Sequence, residues 1–141
     1  MVTLHRLFAS VSASIVLTLG ASPAFAFSDV FVFGDSLSDA GAFTYLFGGL
    51  ACPAAPYDGC RFSNGPTWVE NFATALGNSA DTAYAPGGGT NYAIGGERSD
   101  ELLGAGVTGD ASSGIGQIPL FSSDVSGVAD PNALYVIWAG G

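Results

Sequence analysis

The sequence contains no lysine, and its basic residues are Arg6, Arg61 and Arg98, against twelve aspartates and glutamates. The formal net charge is −9 over 141 residues. Nucleic-acid binding needs a basic surface, and docking on anionic lipid needs clusters of lysine and arginine. The composition therefore argues against both kinds of partner, and its acidity favours solubility.

Histidine is nearly absent, because His5 is the single one in the chain. A serine nucleophile needs an adjacent base, which is usually histidine and in some enzymes lysine. Neither type occurs in residues 27–141. A carboxylate such as Asp39 would be a weak substitute, since its ordinary pKa is about 4.

Long apolar runs are scarce, and the longest stretch stands at the N-terminus. His5 and Arg6 give it a weakly positive start, Leu7 to Gly20 is apolar, and Ala24-Phe25-Ala26 has the small-x-small pattern of a cleavage site. A membrane anchor is the alternative, but the run is short and rich in serine. The sequence predicts a signal peptide over residues 1–26, and therefore export to the periplasm, the cell surface or the medium.

Cysteine is also scarce, since Cys52 and Cys60 are the only two. They stand in a loop that contains proline and glycine, in a chain predicted to be exported. This context favours a local disulfide. A metal site is the alternative, but no histidine is there to join the two thiols.

The remaining chain alternates between strand and helix patterns, which predicts a parallel sheet flanked by helices. The predicted elements are a strand over 29–36, a helix over 63–78, a strand over 90–94, a helical turn over 99–103, a broken helix over 115–127 and a strand over 133–139. The break in the helix over 115–127 is predicted from Pro119.

The helix over residues 63–78 has signals at both ends. Asn64 or Gly65 is expected to cap it, Pro66 suits the first helical position, and Gly77 suits the stop. Its large apolar residues recur at helical spacing and are expected to pack in the core. They are Trp68, Val69, Phe72 and Leu76.

The first strand runs directly into Gly34-Asp35-Ser36, and glycines follow the other two strands at Gly96 and at Gly140-Gly141. Ligands of open parallel sheets bind at the carboxyl ends of the strands. A hydroxyl beside glycine N–H groups suits acyl transfer. The alternative is a simple turn in which Asp35 and Ser36 bond local backbone. The G-x-S-x-G elbow is absent, because Ser38 stands where its second glycine would be.

Four segments resemble the GDSL, or SGNH, hydrolases in the order of that family. "FVFGDSLSDAG" (31–41) resembles block I, "RFSNGPTWVE" (61–70) the segment that follows it, "NYAIGGERSD" (91–100) block II, and "YVIWAGG" (135–141) the strand that enters block III. The best-fitting branch contains exported bacterial esterases, lipases and phospholipases, some of them fused to autotransporter barrels. The resemblance implies a three-layer α/β/α fold of flavodoxin-like architecture, of which residues 27–141 would be the N-terminal portion.

The resemblance also implies residue roles. Ser36 would be the nucleophile, and the N–H groups of Ser36 and Gly96 would form the oxyanion hole, with Gly95 as the alternative if the register shifts by one. Asp35 and Asp39 would be structural residues, and Asp39 would hold its own loop. The reaction would be hydrolysis of a small-molecule or lipid ester, with no metal or organic cofactor.

Three family residues have no counterpart here. The block III asparagine would follow Gly141, and the D-x-x-H segment that supplies aspartate and histidine is missing. We therefore expect residues 27–141 to be inactive alone and the rest of the enzyme, with or without an autotransporter domain, to lie outside this chain. The competing hypothesis is a non-catalytic binding module or a truncated remnant, in which "APGGGTNYAIGG" (85–96) cradles a phosphate or a glycan. Aromatic residues of the loop over 40–62 would line an acyl pocket or pack that loop onto the core.

Overall fold

A computed structural model describes residues 27–98 and 116–139. Two strands, β1 (Val30–Gly34) and β2 (Leu134–Trp138), pair in parallel. The prediction of an α/β arrangement with parallel strands is thus confirmed. The predicted signal peptide and the helical turn over 99–103 lie outside the described residues.

In the described part of the chain, three helices accompany the strands: α1 (Phe43–Leu46), α2 (Trp68–Ala75) and α3 (Gln117–Asp124). In the two ranges that the structure describes, no helix has both the length and the apolar character needed to cross a membrane.

Strand β1 lies between two helices, and all five of its residues are buried. Val30 and Val32 pack against the α2 side of the sheet, in a cluster with Val69. Phe31 and Phe33 point the other way and pack beside Phe121 of α3. A strand covered on both faces has no solvent side, which explains its continuous apolar sequence.

The predicted strand over residues 90–94 is not a regular strand in the structure. It starts to pair with β1, because the Val32 N–H donates to the Thr90 carbonyl (2.9 Å) and the Tyr92 N–H donates to the Val32 carbonyl (2.8 Å). At the next position the Gly34 N–H donates instead to Oε1 of the buried Gln117 (2.8 Å). This side-chain amide replaces a backbone partner, so the ladder is reduced to an isolated bridge.

Helix α2 begins later than predicted. Thr67 is its N-cap and forms a capping box with Glu70, so Pro66 precedes the cap and does not occupy the first helical position. The predicted stop is confirmed. Gly77 follows the C-cap Leu76 with a φ of +82°, a left-handed conformation that favours glycine.

The predicted core face of α2 is partly wrong. Val69 and Ala73 are buried, but Trp68 and Phe72 are 42% and 38% exposed. The side chains that meet β1 lie at the positions of Val69, Ala73 and Leu76, which places the two large rings beside this stripe. Trp68 instead contacts Trp138 of β2, with ring centroids 5.5 Å apart.

Helix α3 is continuous across Pro119, contrary to the predicted break. Gly116 is the N-cap, so Pro119 is the third helical residue. The N–H groups of the first turn have no partner inside a helix, and proline there removes no hydrogen bond.

The start of α2 is tied to the preceding loop by a partly buried ion pair. Arg61 donates from Nε and Nη2 to the Glu70 carboxylate at 2.8 and 2.7 Å. The same carboxylate accepts the Thr67 N–H at 2.7 Å. The Glu70 carboxylate therefore completes the capping box and also anchors Arg61.

We expect Glu70→Gln to remove an acid-sensitive part of the stability. Burial acts to raise the pKa of Glu70, but hydrogen bonds from Arg61 and Thr67 outweigh it and lower the pKa below 4.5. This stabilisation is therefore present above that pH and is lost as the pH falls through the lowered pKa. The variant should lose about 1–2 kcal/mol at pH 7, and its stability should fall less on acidification. Urea unfolding from pH 3 to 7 tests this, and a variant profile parallel to the wild type would contradict it.

Candidate active site

Ser36 lies in a tight turn directly after β1. The turn is closed by the Ser38 N–H, which donates to the Asp35 carbonyl at 3.1 Å. The Asp35 carboxylate accepts the Leu37 N–H at 3.0 Å. Asp35 thus acts as the local cap, whereas neither the hydroxyl nor the N–H of Ser36 has a hydrogen-bond partner among the described residues. The simple turn that the sequence offered as the alternative is therefore present, but Ser36 forms none of the hydrogen bonds that close it.

Gly96 lies in a second turn, which the Glu97 N–H closes by donating to the Ile94 carbonyl at 3.2 Å. Its φ of +85° favours glycine, and a Cβ built there would meet no atom within 4 Å. The Gly96 N–H has no partner in the described part of the chain. In contrast, the Gly95 N–H donates to Oδ2 of Asp39 at 2.8 Å. Of the two glycines proposed as oxyanion donors, Gly96 is therefore the one whose N–H makes no hydrogen bond to another described residue.

Gly95 is packed against aromatic rings. A Cβ at this position would collide with Phe62 and would lie 3.1 Å from Phe43. These two rings contact each other, with centroids 5.6 Å apart. The other aromatic residues of the loop are more exposed than this pair. Phe43 and Phe62 therefore pack the loop beneath the Gly95 turn. Tyr45, Phe47 and Tyr57 are exposed, and an acyl pocket lined by aromatic residues of this loop stays a prediction.

Asp39 is fully buried, and it does more than hold its own loop. Its Oδ1 accepts the N–H groups of Gly41 (2.8 Å) and Ala42 (2.7 Å), as expected for a local role. Its Oδ2 reaches Gly95, 56 residues away in sequence. Burial raises the pKa of Asp39, against the opposing effect of these N–H bonds. Because backbone donors engage both oxygens, Asp39 is not placed to act as a base.

Asn91 makes the complementary connection and was not identified from the sequence. Its buried Nδ2 donates to the Ser38 carbonyl at 2.8 Å, and its Oδ1 accepts the Ala93 N–H at 3.0 Å. The signal in the sequence was its place at the start of the segment over 91–100 that resembles block II. Block I and block II are thus joined in both directions by buried side chains.

Cys52 and Cys60 are joined in a disulfide, with Cα atoms 4.7 Å apart, within the usual range. The bond closes the loop between α1 and Phe62. It therefore restricts the segment that carries Tyr57 and leads into the ring packed against Gly95.

Ser36 does not line either of two cavities that lie among the described residues. The larger, of about 650 Å³, lies beside the glycine-rich turn over 87–89 and is bounded by Phe31, Tyr92 and Asp124. Asp124 contributes a carboxylate to this cavity, and its described lining residues include no arginine or lysine, so the cavity does not suit a phosphate. At Gly89 the glycine has a packing reason, since a Cβ would collide with the Asp81 carbonyl.

Comparisons with known proteins give two findings. The family model described as "GDSL-like Lipase/Acylhydrolase" matches residues 30–141. Over 68 residues, or 48% of the chain, the sequence is 40% identical to "Phosphatidylcholine-sterol acyltransferase" from Aeromonas hydrophila. The matched region is 20% of that protein, so the chain spans about a fifth of the length of this curated relative.

Proposed function

Because the chain belongs to the family of GDSL-like lipases and acylhydrolases, we propose that it is an ester hydrolase that acts through an acyl-enzyme on Ser36. The chemistry of this family and of the curated relative is ester hydrolysis and acyl transfer. One observation carries the assignment to Ser36. Within residues 27–98 and 116–139, its hydroxyl and N–H and the Gly96 N–H have no hydrogen-bond partner, whereas the neighbouring Asp35, Asp39 and Gly95 are engaged in hydrogen bonds.

The proposed reaction has two displacement steps. The Ser36 Oγ attacks the ester carbonyl carbon, the carbonyl electron pair moves to oxygen, and the serine proton passes to a base. The N–H groups of Ser36 and Gly96 would stabilise that oxyanion. Collapse expels the alcohol, which takes the proton, and water then repeats the sequence on the acyl-enzyme to release the acid and free Ser36.

We propose that the base comes from outside the printed sequence. Residues 27–141 contain no histidine and no lysine, and the Asp39 oxygens are occupied. In this proposal residues 27–141 form the N-terminal portion of a three-layer SGNH domain. The packing of α2 and α3 on opposite faces of β1 supports that architecture.

For the substrate, we propose an ester with an apolar acyl group. Phe43 and Phe62 lie against Gly95, next to the proposed oxyanion donor, and Leu37 beside the nucleophile is more than half exposed. The name of the curated relative indicates a lipid ester as acyl donor and a sterol as acceptor, so a lipid ester is the preferred candidate. Export is proposed as well, on the pattern of residues 1–26 and the disulfide.

Labelling with a fluorophosphonate probe tests the nucleophile. In protein made from the complete coding frame, we expect the probe to modify Ser36, identified by mass spectrometry of chymotryptic peptides. In residues 27–141 alone, labelling should be at least about 100-fold slower, because no base activates the hydroxyl. Labelling at another serine would contradict the role of Ser36. Rapid labelling of residues 27–141 would contradict an external base, as would a coding frame without a downstream histidine.

The second candidate function is a non-catalytic binding module, and the cavity of about 650 Å³ is the observation that favours it. Its aromatic and carboxylate lining suits a neutral glycan better than a phosphate. Hydrolysis that depends on Ser36 would decide against this candidate.

A further inference from the structure

Two buried polar side chains cross between the turn that holds Ser36 and the turn that holds Gly96. Asp39, on the Ser36 side, accepts the Gly95 N–H. Asn91, on the Gly96 side, donates to the Ser38 carbonyl. We infer that Asp39 and Asn91 are positioning residues that align the nucleophile with its oxyanion donor. This inference rests on the proposed function, and it adds two residues that each form a hydrogen bond to the opposite turn across more than 50 residues of sequence.

The Asp39 carboxylate is held in one orientation, so it fixes the Gly95 turn relative to its own turn. The N–H groups of Gly41 and Ala42 hold Oδ1 at 2.8 and 2.7 Å. With that oxygen held, Oδ2 is directed at the Gly95 N–H. The side chain is fully buried, so water does not compete for these bonds.

Asn91 is held with similar rigidity. Its backbone bridges to Val32 on one side and to Thr82 on the other. The Ala93 N–H orients the side-chain amide by donating to Oδ1, and this leaves Nδ2 to donate to the Ser38 carbonyl. The second link therefore starts from a fixed point at the edge of β1.

Each link ends close to a proposed reacting group. Ser38 and Asp39 follow Ser36 by two and three residues, and Gly95 directly precedes Gly96. A displacement of about 1 Å between nucleophile and oxyanion donor is enough to lower a rate by about 100-fold. If these two hydrogen bonds mattered only for stability, their loss would lower activity only in proportion to the fraction of folded protein.

The conservative variants separate these two roles. In Asp39→Asn one oxygen can still accept from Gly41 and Ala42, but the amide nitrogen then faces the Gly95 N–H, donor against donor. In Asn91→Asp an oxygen replaces Nδ2 opposite the Ser38 carbonyl. Val69→Ala is the stability control, since Val69 is a fully buried α2 residue. Asp130→Asn is the charge control, because Asp130 caps a distant turn.

The experiment measures p-nitrophenyl butyrate hydrolysis by protein made from the complete coding frame. We expect Asp39→Asn and Asn91→Asp to lower kcat by about 10- to 100-fold, with KM changed by less than about threefold. Val69→Ala and Asp130→Asn should keep kcat within about twofold, although Val69→Ala lowers the thermal midpoint. Hydrogen exchange of the Gly95 amide should be faster in Asp39→Asn than in Val69→Ala.

Two results would overturn the inference. One is a kcat for Asp39→Asn no lower than that of Val69→Ala at a similar thermal midpoint. The other is unchanged exchange of the Gly95 amide in Asp39→Asn, which refutes the link at any level of activity. A wild-type protein without Ser36-dependent hydrolysis would instead refute the proposed function, and the Gly95 exchange measurement would still decide whether Asp39 holds the two turns together.

Discussion

Replacement of Ser36 by alanine is expected to lower kcat for ester hydrolysis by roughly 10⁴- to 10⁶-fold in protein made from the complete coding frame. The variant keeps the Ser36 N–H and the Gly96 N–H but has no oxygen that can be acylated. Because the Ser36 hydroxyl has no hydrogen-bond partner among the described residues, its removal breaks no hydrogen bond there. The thermal midpoint should therefore change by less than about 2 °C.

Ser79→Ala is the matched control, since Ser79 is an exposed serine in the segment that follows α2. It should retain wild-type kcat and KM for p-nitrophenyl butyrate. A Ser36→Ala protein with more than about a tenth of the wild-type kcat would show that another group is acylated, and the assignment of the nucleophile would be wrong.

Gly95→Ala should be the most destabilising single methyl addition in the second motif. Its Cβ would collide with Phe62 and crowd Phe43, and such overpacking costs typically about 1–3 kcal/mol. Gly96→Ala meets no atom within 4 Å, so its cost is about 1–2 kcal/mol from the left-handed backbone alone. Urea unfolding of the two neighbouring variants measures the difference.

The double variant Gly95→Ala with Phe62→Leu identifies the cause. A smaller side chain at position 62 makes room for the new methyl group, so we expect the pair to be at least 1 kcal/mol more stable than the sum of the single changes (about 1–2 kcal/mol of coupling). Simple additivity would contradict the collision with Phe62. A Gly96→Ala protein that stays folded but loses kcat would support the proposed oxyanion role of Gly96.

Local patterns predicted those elements whose cause is local. The continuous apolar run of β1, the strand of β2 and the Gly77 stop of α2 were all visible in the sequence, because burial on two faces and a positive φ each demand particular residues at particular places. The same holds for Ser36 at the end of a strand.

Local patterns failed where a distant partner decided the outcome. The ladder over residues 90–94 is interrupted by Gln117, a side chain that reaches β1 from α3. Trp68 leaves the core face of α2 because Val69 and Ala73 meet β1. Proline at the third position of α3 was predicted to break a helix because the position of the N-cap was not known.

The sequence by itself determined the family and led to Ser36, Gly95 and Gly96 as the proposed site residues, since motif, order and spacing are properties of the chain. Only the tertiary structure decided which glycine N–H is bonded to Asp39, which one has no partner among the described residues, and which side chains join the two turns. The physical reason is that Asp39 and Asn91 form hydrogen bonds across more than 50 residues. No local preference encodes such bonds, because they form only once burial has removed water from both partners.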